Sequence, residues 1–162
     1  MTRADRIVAA ARATIGARFR PHGRDPALGV DCVGVAAWAL KAGGYRGRVP
    51  AGYALAAGEA AIAPDMLAGL APCAGDAPGD LLLCRAGSGL HLAIATGEGF
   101  VHADAGLRRV VERPGAPPWP VIAAWRIEGS DDGDFGADGG GHGDRRADRR
   151  RDRAMIGRTV DS

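Results

Sequence analysis

The segment Cys32–Ala42, CVGVAAWALKA, limits the fold more than any other part of the chain. Its length and the Gly43–Gly44 pair behind it predict a helix. Val33, Val35, Trp38 and Leu40 leave that helix apolar nearly all round. Such a helix cannot rest on a surface with one face in water, so it must be central and covered. The rest of the chain supplies the cover. Upstream, Thr2 to about Ile15 sets Ile7, Val8, Ala11 and Ile15 at helical spacing, with Gly16 as a stop. RFRPHGRDPALG, punctuated by Pro21, Gly23, Pro26 and Gly29, reads as a connecting loop. APDMLAGLAP suggests a short third helix starting at Pro64. Further on, DLLLCRA, LHLAIAT, GFVHADA, RRVVER and VIAAWRI are short β-compatible runs separated by Gly and Pro, the pattern of a small antiparallel sheet. Helices first and strands after define an α+β domain.

That domain is expected to span residues 1–128. From Gly129 onward, GSDDGDFGADGGGHGDRRADRRRDR has almost no apolar content and cannot bury enough surface to order itself, so 129–162 reads as a disordered Gly/Asp/Arg-rich tail. His142 lies in it without an assigned role. The tail's Arg149, Arg150 and Arg151 are read as a solvated run in preference to an anionic-surface contact. The formal net charge of +2 gives no general affinity for nucleic acid. No apolar run is long enough to span a membrane. MTRADRIVAAARATIG lacks the order of a secretory signal, so synthesis in the cytoplasm without general export is expected. Cys32, Cys73 and Cys84 are odd in number and not paired at short spacing. A disulfide framework or CxxC zinc site is therefore not expected, and a reduced compartment is the simpler assumption.

Cys32 is the first candidate for chemistry. Asp31 is a good N-cap, so the thiol would sit at a helix N-terminus, where unpaired amides and the helix dipole can bring its pKa to roughly 3.5–7.5. Alone, a cysteine in such a run is more often structural. Cys73 and Cys84 fit that structural role better. His91 and His102 change the balance, because they flank LAIATGEGFV, which reads as a β-hairpin. A Thr96-Gly97 turn sets His91 opposite His102. A Gly97-Glu98 turn sets His91 opposite Asp104, with His102 on the diagonal. Either way both imidazoles share one face with Ala93 and Ala95. The two alanines leave room on that face, and the Cys32 helix is the expected occupant. Cys32 would then reach a hydrogen bond to His91, with His102 orienting the imidazole. Two structural histidines, or a zinc site from His91, His102 and Asp104, are the competing readings; the tight spacing of zinc ligands is lacking.

GVDCVGV, GDLLLC and HLAIATGEGFVHA follow one another in the order and spacing of the NlpC-type cell-wall peptidases, and the chain resembles that family from about Arg3 to Glu128. The resemblance implies a papain-like cysteine peptidase fold, with a buried nucleophile helix packed on a small antiparallel sheet. It implies Cys32 as nucleophile, His91 as base and His102 as the third, polar member, with no cofactor and no metal. The implied substrate is the peptide stem of peptidoglycan, usually cut between D-glutamate and diaminopimelate. The long loop before Cys32 and the missing signal are most similar to the branch carried by phage tails and gene transfer agents, which implies tail or baseplate proteins as partners and action in the periplasm. Val33 replaces the family's usual Ser, Val35 a common Leu, and Phe19 a frequent Tyr; His22 or Arg24 is positioned in sequence to compensate for the missing phenol. A catalytically impaired tail-tip protein and an amidase or acyltransferase on the same scaffold stay open as alternatives.

Overall fold

A computed structural model describes residues 1–48 and 67–129. The expected disordered tail lies outside the described residues, except for Gly129, and so do His142 and the first residues of the expected third helix.

Helix α1 (Arg3–Ala13) starts on Thr2, whose hydroxyl accepts from the Asp5 amide while the Asp5 carboxylate accepts from the Thr2 amide. This reciprocal pair satisfies two amides that would otherwise lack partners. Ile7, Val8 and Ala11 face inward. The helix closes on Thr14, earlier than its apolar spacing suggests, so Ile15 falls beyond it and is 45% exposed. The buried Thr14 hydroxyl donates to the Ala11 carbonyl, which closes the last turn.

The loop that follows carries a two-residue ladder, β1 (Arg24–Asp25) against β2 (Gly29–Val30). Helix α2 (Cys32–Ala42) begins on Asp31 and stops at Gly43, with Gly44 at φ +91°. Seven of its residues are buried, as its apolar character demands, although Trp38 is 44% exposed. Leu70–Pro72, expected at the end of a third helix, is instead strand β3, because it pairs with residues 125–127. The five expected runs are all strands: β4 (Leu81–Ala86), β5 (Gly89–Ala95), β6 (Gly99–Asp104), β7 (Arg109–Pro114) and β8 (Val121–Ile127). They form a six-stranded sheet in the order β3-β8-β4-β5-β6-β7, with every described pairing antiparallel.

The sheet is buried on both faces. On one, α1 and α2 meet Leu81, Leu83, Leu90, Ile94, Val101 and Val110. On the other, Leu82, Cys84, Ala93, Ala95, Phe100 and Ala124 close over a smaller core that includes Trp119. Two ion pairs tie elements together across the fold. Asp80, fully buried at the start of β4, accepts two bonds from Arg126 of β8 at 2.7 and 2.9 Å and one from the Ala77 amide. Arg12 at the end of α1 makes a two-pronged bond to Glu112 of β7.

Candidate active site

Asp31 organises the start of α2. One carboxylate oxygen accepts from the Gly34 amide at 2.9 Å and from Arg24 Nη1 at 3.1 Å; the other accepts from the His22 amide at 2.6 Å. The first bond caps the helix. The others pull the loop over it and hold His22 at φ +58°, in the left-handed region. Glycine makes this close approach feasible. A β-carbon on Gly34 would collide with the Gly23 carbonyl oxygen, and one on Gly23 with the Gly29 carbonyl. Two positions that the sequence offers only as compensation for Phe19 are thus bonded to the residue before Cys32: His22 by its backbone, Arg24 by its guanidinium. Phe19 itself packs against the core, and Val33 is buried in it.

The hairpin adopts the second of the two expected registers. Ile94 pairs with Val101 and Ala95 with Phe100, so the turn is Gly97-Glu98, with the Thr96 amide donating to the Gly99 carbonyl and the Thr96 hydroxyl accepting from the Gly99 amide. Extended along the strands, this register sets His91 across from Asp104 with His102 diagonal to it. The diagonal is short enough for a bond: His91 Nε2 lies 2.8 Å from His102 Nδ1, with the rings nearly perpendicular. His91 is partly buried and His102 almost wholly so.

One expectation is overturned. Helix α2 does not lie on the face of His91, Ala93 and Ala95. It packs on the opposite face, with Leu90, Leu92 and Ile94. Large aliphatic side chains offer the valines of α2 more apolar contact than alanines can. The space beside the alanines goes to Phe100 and Trp119. Trp119 stands edge-on to both imidazoles, with ring centroids 5.1 Å from His91 and 5.4 Å from His102. It follows Pro117 and Pro118, a stiff dipeptide that is the one sign in the sequence of a fixed aromatic there.

Cys32 is the first residue of α2 and is buried. Its sulfur takes a hydrogen bond from the Leu92 amide, one residue beyond His91, and the amides of Cys32 and Val33 also face it. The β5–β6 register pairs Ile94 and Ala95, beyond Leu92, so the Leu92 amide can serve the sulfur. Since Nε2 of His91 is engaged by His102, Nδ1 is the nitrogen left for a thiol. A cleft of about 230 Å³ lies beside the pair, lined by His91, His102, Asp104, Gly106 and Trp119.

The electrostatics differ from the expected low-pKa thiolate. Burial pushes the Cys32 thiol up to about 12, and the Asp31 charge adds to it, against the smaller help of the surrounding amides. Desolvation of a buried anion outweighs the helix terminus here. His91 is pushed down to about 4, first by burial and then by the neighbouring His102. At neutral pH these shifts favour a thiol on Cys32 and an uncharged imidazole on His91. Among the described residues no cluster of three metal-ligating side chains occurs, so the zinc arrangement of His91, His102 and Asp104 is not formed. Cys73 and Cys84 are free thiols, Cys84 fully buried opposite His91 on β4.

An antiparallel sheet covered by a buried helix with cysteine at its N-terminus, and a paired imidazole on a neighbouring strand, is the papain-like α+β arrangement. Solved structures with the same fold include NlpC2 from Trichomonas vaginalis, at 19% identity and TM-score 0.57 over 77% of this chain and 48% of that one. The peptidoglycan hydrolase RipB from Mycobacterium tuberculosis matches at 20% identity and TM-score 0.54, over 78% of this chain and 65% of that one. The P60 domain of an antigen from M. avium subspecies paratuberculosis matches at 17% identity and TM-score 0.53, over 78% of this chain and 96% of that one. The chain thus spans about half the length of the Trichomonas protein. No family model and no curated protein matches the sequence. The fold is that of NlpC/p60 domains.

Proposed function

We propose that this chain is a peptidoglycan hydrolase, an endopeptidase that cuts amide bonds of stem peptides through Cys32, His91 and His102. The observation that carries the reading is the His91–His102 bond at 2.8 Å, set beside a cysteine whose sulfur is held by the very next amide on the same strand. The fold shared with RipB, a peptidoglycan hydrolase, supports the substrate class.

Chemistry would start from the neutral pair. As the Cys32 sulfur bonds to the scissile carbonyl carbon, its proton passes to His91 Nδ1. The amides at the start of α2 face the forming oxyanion. Return of the proton to the leaving nitrogen breaks the C–N bond and leaves a thioester on Cys32. Water, deprotonated by His91, attacks that thioester and releases the acid, with the thiol restored. His102 keeps the His91 ring in place throughout.

The test is digestion of defined muropeptides by the whole chain, with fragments identified by mass spectrometry. New amine and acid ends within the stem, lost in Cys32→Ala, support the endopeptidase. Cleavage at the sugar–peptide amide would make it an amidase. Intact substrate with a folded wild type would favour a catalytically silent protein on this fold, a reading to which Phe19 and Val33 lend weight by bringing no hydroxyl beside the nucleophile. The proposal extends to a phage-like tail as the setting, and cosedimentation of the chain with such particles tests it.

A further inference from the structure

His102 has a second feature, one that the catalytic steps above do not use. Its Nδ1 is engaged by His91, but its Nε2 is buried and has no hydrogen-bond partner among the described residues. The side chain is only 2% exposed. A buried ring nitrogen in that position calls for an explanation. The nearest charged atom is Asp104 Oδ2, 3.9 Å from Nε2. Asp104 is itself fixed from two sides: Oδ1 accepts from the Leu107 amide at 2.9 Å, and Oδ2 accepts from Arg113 Nη2 at 2.8 Å. These bonds hold it as a carboxylate, its pKa lowered chiefly by the Leu107 amide. The third wall of this corner is His91, on β5.

We propose that Asp104 is a positioning residue: it keeps the proton of His102 on Nε2, which makes Nδ1 an acceptor, makes His91 the donor through Nε2–H, and leaves His91 Nδ1 bare. The inference rests on the hydrolase reading for its purpose, since a bare Nδ1 is what a thiol proton requires. Its physical basis is independent of that reading. A neutral imidazole has one N–H and one lone pair. The other tautomer would turn the Nε2 lone pair of His102 toward a carboxylate. It would then force His102 Nδ1–H to donate to His91 Nε2 and put the His91 proton on Nδ1, facing the sulfur. Two rings joined by one bond must switch together, so a single anion at the far end sets both.

The experiment is ¹⁵N NMR of the full chain with labelled histidine, at a pH where both rings are neutral. Long-range correlations give the tautomer of each ring. Both His91 and His102 are expected as Nε2–H in the wild type. Asp104→Asn leaves one oxygen for two donors, the Leu107 amide and Arg113, and removes the negative charge that faces His102 Nε2. Both rings should then shift toward Nδ1–H. A wild type with His102 as Nδ1–H overturns the proposal, and so does a folded Asp104→Asn that keeps the wild-type tautomers. If Asp104→Asn does not fold, the wild-type spectrum decides alone. On a stem peptide, kcat of Asp104→Asn should fall roughly 10- to 100-fold with KM unchanged, and Asp104→Glu should recover part of it. A wild type without hydrolysis counts against the proposed function, while the spectra still decide the role of Asp104.

Discussion

His91 Nε2 and His102 Nδ1 stand 2.8 Å apart with their rings at 89°, so a single hydrogen lies between them. The proposed mechanism gives the two rings unequal roles. On the proposed mechanism, removing Cys32 removes the covalent pathway and removing His91 disables two proton transfers, so Cys32→Ala and His91→Ala should fall to background. His102→Ala loses only an acceptor and should remain measurable, down roughly 10- to 100-fold. His102→Asn or His102→Gln should recover part of that loss through a carbonyl oxygen. Single-turnover hydrolysis of a stem peptide, with circular dichroism on each variant, is the measurement. An active His91→Ala beside a dead His102→Ala would reverse the assignment.

The same rings make stability depend on pH. His91 is held neutral down to about 4 by burial and by His102, and His102 is lowered by burial as well. In the unfolded chain a histidine protonates near 6.5. Between these values unfolding takes up protons, so stability is full above the upper limit and falls as pH drops through the window. For His91 the loss is on the order of 3 kcal/mol at most. Urea midpoints measured across the window should decline in the wild type and decline less in His91→Gln. Parallel profiles would show that His91 titrates freely.

Alkylation should avoid Cys32. Burial raises Cys32 to about 12 and Cys84 to about 11, whereas Cys73 is only partly buried and open to reagent. Iodoacetamide at neutral pH should label Cys73 first, with peptide mapping as the readout. Preferential labelling of Cys32 at mildly acidic pH would show a thiolate and contradict the neutral resting pair.

Gly34→Ala tests the packing of the loop on α2. Alanine raises helix propensity by about 1 kcal/mol, so an isolated helix would gain. Here the new methyl meets the Gly23 carbonyl oxygen, and backbone must move. The variant should melt lower than the wild type and lose most activity, because the displaced segment carries the Asp31 partners. A higher melting temperature would mean that the loop gives way without loss.

Arg126→Ala should be the costliest of the surface-charge substitutions. It strips Asp80, fully buried, of both guanidinium bonds. Breaking such a pair costs about 3 kcal/mol. Asp80→Asn keeps an acceptor and should cost less. Chemical denaturation of both variants gives the comparison, and equal losses would mean that the charge itself contributes little.

Much of this arrangement is legible in the sequence, because the informative signals are local. Asp31 before Cys32 marks the helix start, Gly43 its end, and Gly/Pro punctuation separates β4 to β8. What stays hidden depends on contacts between distant residues. The turn chemistry of Thr96, Gly97 and Glu98 allows two registers, and the Thr96 hydroxyl on the Gly99 amide accompanies the one adopted. Leu70–Pro72 is drawn into β3 by pairing with β8, which no local pattern announces. The strand LHLAIA is apolar on both faces once alanine is counted, so alternation cannot say which face α2 chooses. The thiol escapes sequence reading for a similar reason: a helix terminus is visible in the residues around it, but the depth at which it is buried is not.

The buried, protonated Cys32 has one more consequence. Peroxide and other oxidants attack thiolates, and a thiol that is 1% exposed and ionises only near 12 presents almost none. A thiol kept in that form offers oxidants little to attack. On the proposed mechanism it reacts only as a substrate carbonyl carbon accepts its electrons and His91 takes its proton.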